Sequence, residues 1–126
     1  MAVSFAAEGA VGYITLDKPP ANSYDLEVMR RFAADVDAAI ESDARVVVVR
    51  SASEKFFSAG ADVKMFASTD SEYQFAFVIH ANEIMGKFER TPKIVVCAIN
   101  GHCLGGGLEI AMCADIRIAA EGTYNI

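Results

Sequence analysis

Apolar positions fall along the chain in two alternating periods. Val3 to Ala6 and Val11 to Leu16 are short strand-like runs, and Glu8-Gly9-Ala10 between them reads as a hairpin turn. Lys18-Pro19-Pro20 stops the second run, because proline has no N–H to give a strand ladder. The period then lengthens. Leu26, Met29, Phe32, Val36 and Ile40 recur at three- and four-residue steps, which puts them on one face of a helix that Asn22, Ser23 or Asp25 can cap. Arg45 to Arg50 holds consecutive valines between arginines, the pattern of a strand buried on both faces. After Ser51-Ala52-Ser53 comes Phe56-Phe57-Ser58-Ala59-Gly60-Ala61-Asp62-Val63-Lys64, a loop of small residues flanked by aromatics. Ser71 to Phe88 predicts a less regular helix with apolar contacts from Phe75, Val78, Ile79 and Met85, ended by Pro92. Ile94 to Ile99 is a second buried strand, and it leads into Asn100-Gly101-His102-Cys103-Leu104-Gly105-Gly106-Gly107-Leu108-Glu109. Ile110, Ala111 and Cys113 or Ala114 continue a helical face, and Ile116 to Ala119 begins another strand.

Strand, small-residue loop and helix thus recur, which predicts an α/β domain with crossover connections. Both small-residue loops follow buried strands, and ligands of open α/β sheets bind at the carboxyl ends of strands. A glycine run at a helix start leaves bare amides that the helix dipole makes attractive to negative charge. Gly105-Gly106-Gly107 is therefore either half of an anion or oxyanion site, or a turn that lets strand and helix pack closely. Glu109 falls in the first turn or so of that helix, beside whatever the amides hold. One amide from each loop would make the converging pair that an enolate or tetrahedral oxyanion needs, each donor contributing roughly 3 kcal/mol.

Composition narrows the classes. With 126 residues, 53% of them hydrophobic, the chain has enough for one domain with a real core and too little for two. A net charge of -6 with no basic stripe argues against a nucleic-acid partner, so an anionic substrate needs local positive charge. No apolar run has the length for membrane insertion. Three cysteines without a C-x-x-C pair, and no secretory signal, fit reduced thiols in a cytoplasmic protein. Cys97, Cys103 and Cys113 have apolar neighbours and read as small core residues. His102 and Cys103, adjacent in sequence, point apart and have no third orienting group, and His80 reads as structural. Gly105-x-Gly107-x-x-Ile110 puts isoleucine where a dinucleotide fingerprint wants Gly or Ala, and Ser58 lies in no G-x-S-x-G and has no evident base.

Phe57 to Lys64 together with Asn100 to Glu109, supported by Leu16-Asp17-Lys18-Pro19-Pro20-Ala21-Asn22, resembles the enoyl-CoA hydratase/isomerase family, the crotonase superfamily, over nearly the whole chain. The resemblance implies an α/β fold with a crotonase-like core of ββα repeats. It implies that residues 1–126 are the N-terminal part of a single such domain whose C-terminal portion is absent, since members run to roughly twice this length. It implies that the amides of Ala61 and Gly106 form the oxyanion hole for an acyl-CoA thioester, and that Glu109 is one of two glutamates that activate water. The second, in a Pro-Glu loop, would lie beyond Ile126. By the same resemblance Lys18, Ala21, Ala59, Gly60, Asp62, Val63, Lys64 and Gly105 contact the CoA and acyl parts of the substrate, and Met65, Phe66, Phe75 and Phe77 either line the acyl pocket or belong to the core. No metal and no separate cofactor is implied, coenzyme A being part of the substrate, and the family's assemblies imply a homo-oligomer, a trimer or hexamer. A double-bond isomerase, in which the position of Glu109 is often not a carboxylate, and a non-catalytic acyl-CoA-binding module are the other functions this pattern allows.

Overall fold

A computed structural model describes all of Met1–Ile126. The chain repeats a strand–strand–helix unit. Strands β1 (Val3–Glu8) and β2 (Val11–Leu16) precede helix α1 (Leu26–Glu41), and β3 (Val46–Ser51) and β4 (Phe56–Ser58) precede α2 (Val63–Ser68) and α3 (Ser71–Glu89). Next come β5 (Ile94–Ile99), β6 (His102–Cys103), α4 (Gly106–Met112) and the edge strand β7 (Ile116–Ala119). The five-stranded sheet has the order β1-β2-β3-β5-β7. Only the hairpin β1–β2 is antiparallel; the other pairings are parallel, as crossover helices require. The second strand of each later unit leaves this sheet, and β4 and β6 pair with each other in parallel.

The period-2 pattern decides which side of the sheet is dry. Ile14 and Leu16, Val47 and Val49, and Val95, Cys97 and Ile99 all point into the core. There they meet Met29, Phe32 and Val36 of α1 and Phe77, Ile84 and Phe88 of α3, with the rings of Phe32 and Phe88 edge to face at 5.4 Å. Phe57, Cys103, Ile110 and Ala111 close the same core from the small sheet and α4. All this cover lies on one side, so β3 is not buried on both faces as its valine run predicts. Val46 and Val48 are only half-buried and Arg50 is exposed. On that outer face the Arg50 guanidinium sits 4.3 Å above the Tyr13 ring and its Nε donates to Thr15 Oγ1 at 3.1 Å.

Helix α1 starts where Asp25 accepts a hydrogen bond from the Val28 amide at 2.9 Å, which settles the cap among the three candidates. Asp70 caps α3 in the same way through the Tyr73 amide. The buried stripe of α3 is Phe77, Ala81, Ile84, Met85 and Phe88, spaced four, three, one and three apart. Of the contacts predicted there only Met85 is in it. Phe75, Val78 and Ile79 are exposed, because α3 carries apolar residues on two faces and the sheet covers one. No helix is long and apolar enough to cross a membrane.

Candidate functional site

The site is assembled where the two small-residue loops meet at the carboxyl ends of β3 and β5. Asn22 anchors the first. It is buried, adopts φ 51°, which asparagine tolerates better than most residues, and spends its side chain on three segments. Its Nδ2 donates to Ser51 Oγ at 2.8 Å and to the Phe57 carbonyl at 3.0 Å, while its Oδ1 accepts from the Lys18 amide at 2.7 Å. Ser58 completes the knot: its hydroxyl donates to the Asn22 carbonyl at 2.8 Å and accepts from the Gly60 amide at 3.1 Å. Ser58 is thus a structural hydroxyl.

The loops touch backbone to backbone. A Cβ on Gly60, at φ +87°, would lie 2.7 Å from the Gly106 nitrogen, and one on Gly107 would lie 2.4 Å from the Ser58 carbonyl oxygen. Close packing therefore explains Gly60 and Gly107. Gly106 faces the other way, toward Tyr24. Tyr24 in turn bridges Ala61: its amide donates to the Gly60 carbonyl at 2.9 Å, and its carbonyl accepts from the Asp62 amide at 2.9 Å. With the neighbours on both sides used in this way, the Ala61 N–H has no protein acceptor. The Gly106 N–H has none either, being the first amide of α4 behind a Gly105 cap that offers no side chain.

Ala61 and Gly106 both line one cavity of about 220 Å³, together with Tyr24, Phe66, Phe77, Asn82 and Glu109 among others. Glu109, exposed and without a hydrogen-bond or ion-pair partner in the chain, also borders a neighbouring cleft with Asn82, Glu89 and Cys113. On the other side of Ala61 opens a cleft of about 330 Å³ walled by Lys18, Pro19, Pro20, Ala21, Ser23, Ala59, Asp62, Val63 and Lys64. Ala61 lines both spaces and so marks the junction between them. The structure thus brings together Ala61, Gly106 and Glu109, and separately Lys18, Ala21, Ala59, Asp62, Val63 and Lys64. Gly60 and Gly105 line neither space: Gly60 is buried under Gly106, and Gly105 is exposed at φ +52° at the helix cap. Of the four apolar candidates, Phe66 and Phe77 line the cavity, their rings edge to face at 5.4 Å; Phe75 points to solvent and Met65 lies against the Tyr73 hydroxyl.

The electrostatics are local. Lys18 pairs with Asp25 at 2.7 Å. Burial alone would raise the Asp25 pKa, but the hydrogen bond from Lys18, the Val28 amide and the lysine charge outweigh it and hold the carboxyl below its usual range. Burial, with the Glu109 charge adding to it, pushes the Tyr24 phenol up to about 12. Burial also raises the thiols, Cys97 to about 12 and Cys103 to about 11. Cys97 and Cys103 are buried and Cys113 half-buried. His102 Nδ1 accepts from the Asn125 amide at 3.1 Å, with its ring beside Phe56, so it does not serve Cys103. No three His, Cys, Asp or Glu side chains stand close enough to hold a metal ion.

Three participants are invisible to periodicity. Asn22 reads as a helix cap, and only its neighbourhood to Pro19-Pro20 hints at a special turn. Tyr24 and Asn82 have no sequence signal, since their role comes from which loop or cavity they meet.

Comparison with known proteins identifies the family and the fold. The sequence profile of the enoyl-CoA hydratase/isomerase family matches residues 6–124. A probable enoyl-CoA hydratase of Bacillus subtilis is 37% identical over 122 residues, which is 95% of this chain and 47% of that protein. A short-chain-enoyl-CoA hydratase of Clostridium acetobutylicum is 37% identical over 118 residues, covering 90% of this chain and 44% of its own length. Among solved structures, an enoyl-CoA hydratase from Bacillus anthracis superposes with a TM-score of 0.91 at 35% identity, over 97% of this chain and 48% of that one. The Geobacillus kaustophilus enzyme does so with a TM-score of 0.91 at 36% identity, over 94% and 45%. The chain spans about half the length of the curated relatives it matches.

Proposed function

The chain belongs to the enoyl-CoA hydratase/isomerase family and has a crotonase-like α/β fold, and on that footing we propose that its site hydrates a trans-2-enoyl-CoA to a 3-hydroxyacyl-CoA. The observation that supports this reading is that Ala61 and Gly106, whose amides have no partner in the chain, line one cavity with Glu109.

In this proposal the thioester carbonyl oxygen accepts from both amides. Polarisation makes the β-carbon electrophilic. Water attacks that carbon as Glu109 takes its proton, the double-bond electrons move to the thioester oxygen, and the enolate is held by the two N–H groups until Glu109 returns that proton to the α-carbon, which leaves the carboxylate free again. Amides fixed by a buried backbone knot need no reorganisation as charge develops, which is the main economy such a site offers. The cleft with Lys18 and Lys64 would take the CoA moiety, and the aromatic wall of Phe66 and Phe77 the acyl chain. Lys18, already shared with Asp25, would give the phosphates only part of its charge. A hydratase is favoured over an isomerase by the carboxylate at position 109. A second acid–base group, a homo-oligomeric state and a cytoplasmic setting, as the family resemblance implies, belong to the same proposal.

The test is loss of the conjugated enoyl-thioester absorbance of crotonyl-CoA, measured in the gene product that carries this chain. Glu109→Gln should lower kcat by on the order of 10²–10⁴ with CoA-ester binding retained. Unchanged turnover would exclude Glu109, and absence of both binding and turnover in the unaltered protein would exclude the function.

A further inference from the structure

Tyr24 keeps only 4% of its surface exposed, and its hydroxyl makes no hydrogen bond within the protein. The oxygen is not sealed in: the small surface the residue keeps includes it, so the O–H is open to water or to a ligand. The ring is fixed by stacking on Phe77, with centroids 6.0 Å apart, and the backbone by the bridge to Ala61. The oxygen projects to the α-carbon of Gly106, where a Cβ would lie 1.7 Å from it. Tyr24 lines the same cavity as Ala61, Gly106 and Glu109. Two residues with unpartnered amides and one with an unpartnered hydroxyl therefore line the same small cavity.

Resting on the function proposed above, we infer that Tyr24 is a catalytic residue, its hydroxyl being a third hydrogen-bond donor to the thioester oxygen that the Ala61 and Gly106 amides receive. With its pKa pushed to about 12, the phenol stays protonated and remains a donor throughout the working pH range. A donor of this kind strengthens as the oxygen gains charge, so it acts on the transition state more than on the bound substrate. It also gives Gly106 a second reason to be glycine: the volume of a side chain there is occupied by the tyrosine oxygen.

The test uses Tyr24→Phe, which keeps the ring and its stacking, with two readouts. Hydration of crotonyl-CoA should lose about 10- to 10²-fold in kcat with KM nearly unchanged, the scale of a hydrogen bond to a charged oxygen. The carbonyl stretch of bound butanoyl-CoA carrying ¹³C at the thioester carbon, a saturated ester that cannot be hydrated, should move less far below its free value in the variant than in the unaltered protein. Should Tyr24→Phe fold poorly, fluorotyrosine replacing all tyrosines gives the complementary measurement: a more acidic phenol donates more strongly and should deepen the shift. An equal shift and equal kcat in Tyr24→Phe, or no deepening with fluorotyrosine, would overturn the role of Tyr24 while leaving the amides in place. No shift in the unaltered protein would overturn the oxyanion site and Tyr24 with it.

Discussion

Gly106→Ala adds one methyl group at the centre of the site. The new Cβ would stand 1.7 Å from Tyr24 Oη and 2.6 Å from its Cζ, far inside contact distance. Tyr24 cannot swing away cheaply, because its ring is stacked on Phe77 and its backbone is tied on both sides of Ala61. The start of α4 must move instead, and overpacking of this kind costs about 1–3 kcal/mol of stability. The same movement takes the Gly106 N–H out of line with Ala61. Loss of one oxyanion donor lowers kcat by about 10²–10³, so hydration of crotonyl-CoA should fall by that factor while the melting temperature drops by several degrees. Combining it with Tyr24→Leu removes the atoms that clash, so it should recover most of the stability and the amide's share of the rate, leaving only the loss that comes from the missing Tyr24 hydroxyl, a non-additive pair. A Gly106→Ala variant with normal kcat would refute the placement of this amide at the reacting oxygen. A normal melting temperature would refute the tight contact with Tyr24.

Three further outcomes follow from the fold around the site. Asn22→Ala removes hydrogen bonds to Ser51, Phe57 and the Lys18 turn and places alanine at positive φ, so it should cost about 2–4 kcal/mol in denaturant unfolding; a cost under 1 kcal/mol would remove Asn22 as the anchor of the first loop. A thiol reagent should modify Cys113 first and Cys97 and Cys103 only as the protein unfolds; rapid native labelling of Cys103 that substrate blocks would put its sulfur in the site. Asp25 has a lowered pKa, so the folded protein binds fewer protons than the unfolded one in the acid range: its contribution is present above the ordinary carboxylate pKa and is lost as pH falls below about 4 through the folded value. Asp25→Asn, which can still cap α1, should flatten the acid limb of the melting-temperature profile, and an unchanged limb would show that the Lys18 pair contributes nothing.

Strand and helix identities were legible because their apolar residues repeat with a clear period, as Leu26, Met29, Phe32 and Val36 do in α1. Sidedness was less so. The valines of β3 satisfy both a doubly buried and a singly buried strand, and the difference depends on where α1 and α3 pack. Helix α3 misled for the same reason: Phe75, Val78 and Ile79 make as good a stripe as Phe77, Ala81 and Ile84, and sequence does not say which one meets the sheet. The two loops were legible as backbone donors, since runs of Gly and Ala after buried strands have few other uses. Tyr24 was not, because its hydroxyl matters only through the 1.7 Å that separates it from a side chain Gly106 does not have.

The most direct measurement on the proposed oxyanion hole is the hydration of crotonyl-CoA by Ala61→Pro, followed together with its melting temperature. This substitution deletes a single N–H that the fold itself leaves without an acceptor, so the hydrogen bonds of the folded chain are undisturbed. We predict a fall in kcat of about 10²–10³ with little change in the melting temperature. Unimpaired turnover in a folded Ala61→Pro protein would contradict it.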